Sequence, residues 1–572
     1  MSELPLKSKV EFIKENSQGL RGTIREELDQ DNLVFSSENT QLLKFHGVYQ
    51  QEDRDQRKER SRLHQEKAFQ FMVRVKNPGG GKLTPEQWLA LDRGADIYGS
   101  GSLRLTSRQD VQFHGVGKKN LKQLIRLLHS ELIDTYGACG DGVRNTLACP
   151  VTSLRQDTRF DGLLWAHRIS SHFALQSSAY FVIWLNGEKM TTMEEEPIYG
   201  KTYLPRKFKM AIADPNDNCV DVYTNDVGII PSLPEGQLEG FHLIVGGGLG
   251  STHGKKETYP RLATPLCQVT TAQLLPTLEA LVKTLRDLGD RQNRKHARLK
   301  YLVEEMGAAG FRREVEDRLG SSLIESSGVV FNHAETHLGW HRQKQPGLHY
   351  VGLFVENGRI VDGKSVLFKT GLREIVKRFR PQLLLTPRQD LILSDLPTEV
   401  VPSLQSALEQ YGIAPQKDYS PLRVLSMACP ALPTCGLAIA EAERRLPGLI
   451  SELEQRGFGN ESVVVRMAGC PNSCSRPPVA EIGLIGKSAN GYHLYVGGSA
   501  VGTRLASLYQ EDVPAEQLAP LLSELFNLYR ERRQPSEDFG DWAFKAGIAR
   551  LCEWSGRPFP QPASARTSGG IS

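Results

Sequence analysis

The sequence predicts an α+β chain made of two related halves packed about a pseudo-twofold axis. Three matches carry this reading. Residues 106–110, TSRQD, recur as TPRQD at 386–390, and Ala148-Cys149-Pro150 recurs as Ala428-Cys429-Pro430, both at a shift of 280 residues. The same shift lays VRVKN (73–77) on LFVEN (353–357). Three short matches in one register mark an internal duplication. Further on, FHLIVGG (241–247) recurs as YHLYVGG (492–498) at a shift of 251, so the second copy is shorter by about 29 residues between these landmarks.

Strand and helix periodicities alternate within each copy. The charge run QEDRDQRKERSRL (51–63) reads as a solvated helix face or arm. Phe71, Val73 and Val75 then alternate with Met72, Arg74 and Lys76, the period of a half-buried strand. The T-x-R-Q-D segment is read as a further strand. Leu121, Leu124, Ile125, Leu128 and Leu132 recur at helical spacing, as do Leu278, Leu281, Val282, Leu285 and Leu288. The tail PFPQPASARTSGGIS (558–572) has a disordered composition.

At 572 residues the chain exceeds one core and allows several domains. A net charge of +4 gives no nucleic-acid footprint, although a local basic cluster can still take a small anion. No apolar run reaches the length of a membrane span, and the N-terminus has no signal-peptide pattern. Nine cysteines, an odd count without an export signal, predict a reducing cytoplasmic setting rather than a disulfide scaffold.

Five cysteines are scattered: Cys139, Cys149, Cys219, Cys267 and Cys552. The other four form two pairs, Cys429 with Cys435 and Cys470 with Cys474, in the loop-forming stretches ACPALPTCG and GCPNSCSRP. Four thiolates suit tetrahedral zinc or an iron–sulfur cluster. The five-residue gap in the first pair favours the larger object, with zinc and buried structural cysteines as the remaining readings. The first copy keeps Cys149 at the position of Cys429 and shows no second pair, so the site looks acquired by one half.

Cationic residues gather in the other half. If LRLTSRQDVQFHG is one unbroken strand, then Arg104, Thr106, Arg108, Gln112 and His114 share a face. The matching positions in the repeat are Leu384, Thr386, Arg388, Ile392 and Ser394, a largely apolar set. Arg74 lies on the polar side of its strand, Lys207 and Lys209 alternate with Phe208 and Met210, and Arg144 sits in the loop GDGVRNT. Each alone reads as a solvated charge; together, if they converge, they suit a compact polyanion, since Arg gives fork-shaped donors to oxyanions and Lys gives point charges and protons. The glycine runs VGGGLGSTHGKK and EIGLIGKS both lack the leading glycine of a phosphate loop, and no dinucleotide fingerprint is present. After both repeats are placed no stretch remains for a flavin or nicotinamide domain, so for a redox site electrons must arrive from elsewhere.

The pattern ACPALPTC…GCPNSC, with TSRQDVQFHG, LPRKFK and VGGGL, resembles the siroheme-containing sulfite and nitrite reductases, from about Gly19 to about Arg550. The resemblance implies two ferredoxin-like half-domains (66–140 and 336–415) and two larger siroheme- and cluster-binding α+β domains (141–335 and 416–557). These would lie between an N-terminal arm (1–65) and the tail. It implies that Cys429, Cys435, Cys470 and Cys474 hold a four-iron four-sulfur cluster and that Cys474 bridges to siroheme. It further implies that Arg74, Arg144, Lys207 and Lys209 surround sulfite, and that Arg104, Thr106, Arg108, Gln112 and His114 meet siroheme, with Arg298 and Lys300 as further carboxylate partners. The implied activity is six-electron reduction of sulfite to sulfide in sulfur assimilation and cysteine biosynthesis. Related nitrite reductases usually have Asn where this chain has Lys209, which favours sulfite over nitrite. The segment KFHGVYQQEDRDQRKER implies an NADPH-oxidising flavoprotein (FAD/FMN) as donor rather than ferredoxin. Some relatives link a Cys to a Tyr near the active site, and Cys149 is the nearby candidate in sequence. A zinc-stabilised anion-binding protein without redox role is the reading from a different class.

Overall fold

The computed structural model describes residues 7–157, 159–176, 196–413 and 419–560, with the backbone of 184–185 and 188–189. The expected disordered tail lies, beyond residue 560, outside the described residues. The chain divides into two compact units, Met1–Tyr419 with Leu432–Gly436, and Ser420–Ala431 with Leu437–Ser572.

In the first unit, strands β1 (Val48–Glu52), β2 (Phe69–Arg74), β3 (Leu103–Leu105) and β4 (Val111–Val116) form a sheet in the order β1-β2-β4-β3. Its edge strand β1 comes from the segment read as the N-terminal arm. The charge run does yield a short exposed helix, Arg57–Arg62. Helices Pro85–Tyr98 and Leu121–Ser130 accompany this sheet. Thr84 starts the first through a capping box with Gln87, and Pro85 fits the first turn because its missing N–H would have no helical partner. The second buries Leu121, Leu124 and Leu128 and ends at Ser130, so Leu132, expected on the apolar stripe, lies past the helix and is 92% exposed.

A second sheet in this unit contains β5 (Leu147–Ala148), β6 (Met210–Ile212), β7 (Val227–Ser232), β8 (Gly240–Val245) and β9 (Thr264–Thr270) in sequential spatial order. The pairs β5/β6 and β6/β7 are parallel; β7/β8 and β8/β9 are antiparallel.

The repeat of the first sheet follows, with β10 (Gly339–Arg342), β11 (Leu348–Leu353), β13 (Gln382–Leu385) and β14 (Leu391–Pro397) in the order β10-β11-β14-β13. Strand β12 (Arg359–Ile360) leaves this copy and pairs with β3, while Leu83 of the first copy bridges Leu383 of β13. Leu103 and Leu383 are related by the 280-residue shift, so each copy lends a partner to the same position in the other. That reciprocity is the pseudo-twofold relation seen from the backbone. The two sheets share one apolar core, including Phe71, Val73, Leu103, Phe113, Val351, Leu383 and Leu393.

The unbroken strand expected over 103–115 is corrected by the structure. Thr106–Gln109 form a tight turn, and β3 and β4 are the arms of a hairpin. The Thr106 Oγ1 accepts from the N–H groups of Arg108 and Asp110, and Gln109 adopts φ 57°. Thr386 does the same for Arg388 and Asp390, with Gln389 at φ 74°. A left-handed residue reverses the chain, and alternation on both arms imitates one long strand.

The second unit contains β15 (Met427–Ala428), β16 (Val465–Ala468), β17 (Ile482–Ser488), β18 (Gly491–Val496) and β19 (Ser507–Pro514), again in sequential order and again with two parallel followed by two antiparallel pairs. Its registers reproduce those of the second sheet. Leu147 faces Ala211 as Met427 faces Arg466, and Met210 faces Val227 as Val465 faces Ile482. A constant shift of 255 therefore carries Met210–Val227 onto Val465–Ile482, including the left-handed Asp221 onto Arg476.

Candidate active site

Strand register builds a basic row in the first unit. Arg74 stands opposite Gln112, Gln112 opposite Arg104, and Arg104 opposite Arg359 of the second copy. Directly opposed residues share a sheet face. The Gln112 amide oxygen accepts from Arg74 Nε at 2.9 Å, and its nitrogen donates to His114 Nε2 at 3.2 Å. That leaves the imidazole proton on Nδ1, which is buried and has no hydrogen-bond partner among the described residues. Burial, then the charges of Arg359, Arg104 and Arg74, push the His114 pKa far down, so the ring is neutral. A buried N–H without an acceptor, amid three guanidinium groups, is a position prepared for an anionic oxygen.

The other expected residues divide by what their donors already hold. Arg108 binds the carbonyls of Asn145 and Met210, each at 2.7 Å, and Asn225 Oδ1 at 3.0 Å. Arg144 folds onto its own loop, donating to Gly140 O at 2.8 Å and Ala138 O at 3.1 Å. Arg298 makes an ion pair with buried Asp226 at 2.8 Å, and the same carboxylate accepts the Lys209 N–H. Lys300 is fully buried and donates to the carbonyls of Gly248, Gly250 and Tyr259. Burial and the Arg298 charge lower its pKa to about 7. Lys207 and Lys209 remain half-buried while Phe208 and Met210 enter the core, as their alternation predicts.

Tyr49 of β1 reveals a convergence that the sequence could not show. Its pKa rises to about 12 through burial and a neighbouring Cys139 that hydrogen-bonds to it, while the charges of Arg144 and Arg74 pull the other way. Two arginines from separate segments thus act on one phenol. The cysteine beside that tyrosine is Cys139; Cys149 instead lies buried among Asp217, Cys219 and His337. Close by, Asp141 gathers Arg294 at 2.6 Å and Lys14 at 3.7 Å. Burial alone would raise this carboxyl, but Arg294, Lys14 and Arg206 together hold it below the usual carboxylate range. Arg359 was not legible as a member of the basic row, because it joins through a strand exchanged between copies.

In the second unit Cys429 follows β15, and Cys470 and Cys474 follow β16, all at the carboxyl ends of parallel strands. Cys429 Sγ accepts the Gly469 N–H at 3.4 Å, and Cys470 Sγ accepts from Asn472 Nδ2 at 3.5 Å. A Cβ at Gly469 would lie 2.5 Å from the Ala440 carbonyl oxygen, so this close amide approach requires glycine. Cys429 and Cys470 are buried and Cys474 is exposed. Cys435 belongs to the segment grouped with the first unit, where its carbonyl accepts from Arg54 Nη1 at 3.3 Å. Thiolates receiving N–H donors on glycine- and proline-bearing loops fit an iron–sulfur cluster, and the basic row fits a carboxylate-rich macrocycle.

Comparison with known proteins agrees. Residues 139–323 match the family model "Nitrite and sulphite reductase 4Fe-4S domain", and residues 63–131 and 341–411 match "Nitrite/Sulfite reductase ferredoxin-like half domain". The chain belongs to the nitrite and sulfite reductase family, with its two ferredoxin-like half-domains in a duplicated arrangement. Its similar relatives include the sulfite reductase (NADPH) hemoprotein beta-component of Anoxybacillus flavithermus, 42% identical over 95% of this chain and 96% of that protein. The protein of the same name from Oceanobacillus iheyensis is 43% identical over 94% of each. The structure of the Mycobacterium tuberculosis NirA protein superposes with a TM-score of 0.77 at 24% identity, over 96% of this chain and 98% of that one, and shares the fold.

Proposed function

We propose that the chain is the hemoprotein component of an NADPH-dependent sulfite reductase, converting sulfite to sulfide in assimilatory sulfur metabolism and cysteine biosynthesis. The observation that carries this is 42% identity, nearly end to end, to hemoprotein beta-components of that enzyme. Its cofactors are siroheme and a four-iron four-sulfur cluster, which supply single electrons to the bound anion. Cys429, Cys435, Cys470 and Cys474 would hold the cluster, and Cys474 would also help to hold siroheme.

The residues then have distinct tasks. Arg104, Gln112 and His114 bind the carboxylates of the macrocycle, with His114 Nδ1–H as a ready donor. Thr106 and Arg108 set the hairpin turn that aims them, and Lys300 and Arg298 fix the glycine loop and the Asp226 carboxylate. Sulfite enters as a dianion and loses three oxygens as water, so the site must hold negative charge and supply protons. Arg74 and Arg144 provide fixed positive charge, since their guanidinium groups are anchored by Gln112 and by the Ala138 and Gly140 carbonyls. Lys207 and Lys209, half-buried, donate hydrogen bonds and protons to the departing oxygens.

The electron donor is an NADPH-oxidising flavoprotein subunit, in keeping with the beta-component relatives and with the missing dinucleotide fingerprint. We assign the protein to the cytoplasm from its cysteine usage; among the described residues no helix is long and apolar enough to cross a membrane.

An absorption spectrum with iron, labile-sulfide and zinc analysis tests the assignment. A coloured protein with siroheme bands and acid-labile sulfide is expected; a colourless, zinc-only protein would refute it. Lys209→Ala should lower sulfite turnover about 100-fold or more with the spectrum intact, within the usual range for loss of a general acid. Normal turnover in that variant would remove Lys209 from the mechanism. A parallel assay with nitrite separates the two activities of the family, and sulfite is the expected preferred substrate.

A further inference from the structure

Cys149, Asp217, Cys219 and His337 form a four-residue cluster of potential metal ligands in the first unit, all within 4.8 Å of one another and all buried. They come from three segments: the loop after β5, the loop after β6, and the stretch entering β10. None belongs to the cluster cysteines or to the basic row. The distances are those of hydrogen bonds and an ion pair among these side chains, and they come close to the edges of a ligand shell. His337 Nε2 lies 3.3 Å from Asp217 Oδ2 and 3.5 Å from Cys149 Sγ, which lies 3.8 Å from the same Asp217 oxygen. Around a tetrahedral zinc ion, ordinary Zn–S and Zn–N/O bond lengths give ligand-to-ligand edges of about 3.3–3.4 Å for N/O pairs and about 3.5–3.6 Å for S with N or O.

The surroundings hold this arrangement in place. Asp217 Oδ1 accepts the N–H groups of Cys219 at 3.0 Å and Glu335 at 2.9 Å, which turns Oδ2 toward the sulfur and the imidazole. His337 is held in the left-handed region at φ 62°. Its carbonyl presses on Gly352 so closely that a Cβ there would lie 1.9 Å from the oxygen. The backbone therefore accepts strain at the residue that aims Nε2 into the cluster.

We propose that this cluster binds one structural zinc ion through Cys149, Cys219, His337 and Asp217. Two soft sulfurs, one imidazole and one carboxylate make a closed four-ligand set of the kind zinc occupies. The strand registers give the site a further meaning. The shift of 280 takes Cys149 to Cys429, and the shift of 255 takes Cys219 to Cys474. The first copy thus has two of the four thiol positions, where sequence comparison alone found one. The remaining places differ: Asp217 corresponds to Asn472, and Pro215 to Cys470. Each half holds a metal site in the same loops, a mononuclear one in the first and the iron–sulfur cluster in the second.

Elemental analysis of holoenzyme purified without added metal or chelator should find about one zinc per chain, and zinc K-edge absorption should show two sulfurs near 2.3 Å with two N/O ligands near 2.0 Å. The double variant C219S/H337A should lose at least about nine-tenths of that zinc while keeping the siroheme and iron–sulfur absorption. Wild-type enzyme with less than about a tenth of a zinc per chain overturns the proposal, as does a double variant that keeps its zinc. If the variant does not fold, the wild-type sulfur count decides. Two sulfurs support the site, and any other number, including the four expected if zinc had entered the cluster cysteines, rejects it. Iron, labile sulfide and absorption test the redox assignment separately, so either conclusion can fail alone.

Discussion

His46 donates through Nε2 to the Leu20 carbonyl at 2.9 Å in a buried setting, and burial lowers its pKa to about 4 although Leu20 and Asp134 resist the shift. The unfolded chain, with an ordinary histidine pKa near 6.5, binds this proton first as pH falls. Stability from the neutral ring is therefore complete above about pH 6.5 and is lost between there and about pH 4, a swing on the order of 3 kcal/mol. Urea unfolding midpoints should fall across that interval in wild type and fall less steeply in His46→Gln, because buried His114 and His337 titrate in the same direction and remain. Equal slopes would contradict it. Single residues were legible in the sequence where chemistry demands a spacing, as with the paired cysteines. They were illegible where only folding joins them, as with Tyr49 beside Cys139, or Cys219 beside Cys149, whose partner lies at a shift the conspicuous landmarks do not share.

At the scale of elements, the hairpin between β3 and β4 decides how the basic row is presented. Gln109 at its turn accepts the Ala148 N–H through Oε1 and donates to the Leu385 carbonyl through Nε2, at 3.1 and 2.9 Å. One side chain thus ties the turn to β5 and to the second copy. Gln109→Ala would leave both buried groups without partners and should cost roughly 2–4 kcal/mol, read as a shift in the urea midpoint. Gln389→Ala, at the equivalent turn, removes the contact from Arg104 at 3.3 Å and should cost less. Equal losses would show that the two turns are energetically alike. The repeat was legible because TSRQD and TPRQD preserve this turn. The hairpin was missed because alternation cannot distinguish one long strand from two arms joined by a left-handed residue. The arm was similarly misleading, since its charges surround a helix and gave no sign of strand β1.

On the scale of the whole molecule, the proposed function divides two requirements unevenly between the copies, with most of the positive charge for an oxyanion in the first and the paired cysteines for electron transfer in the second. The small net charge of +4 conceals this division. The chain has no dinucleotide fingerprint, so NADPH alone should produce no sulfide, whereas a chemically reduced one-electron dye should sustain turnover. Addition of the partner flavoprotein should restore the NADPH reaction. Stopped-flow absorbance would follow both, and direct oxidation of NADPH by the isolated chain would refute the division of labour. The family and its cofactors were legible from motif and repeat together, whereas the exchange of β12 between copies needed three-dimensional structure.

The matching registers of β5–β7 and β15–β17 also have a practical consequence. Residues 214–219 and 469–474 occupy loops of equal length between equivalent strand ends. An exchange of the two loops needs no insertion or deletion, but it must keep glycine at 469, where a Cβ would meet the Ala440 carbonyl. The protein therefore offers a chimera within one scaffold: residues 215–219 and 470–474 can be compared position by position, because equal spacing leaves side-chain chemistry as the difference between the two loops.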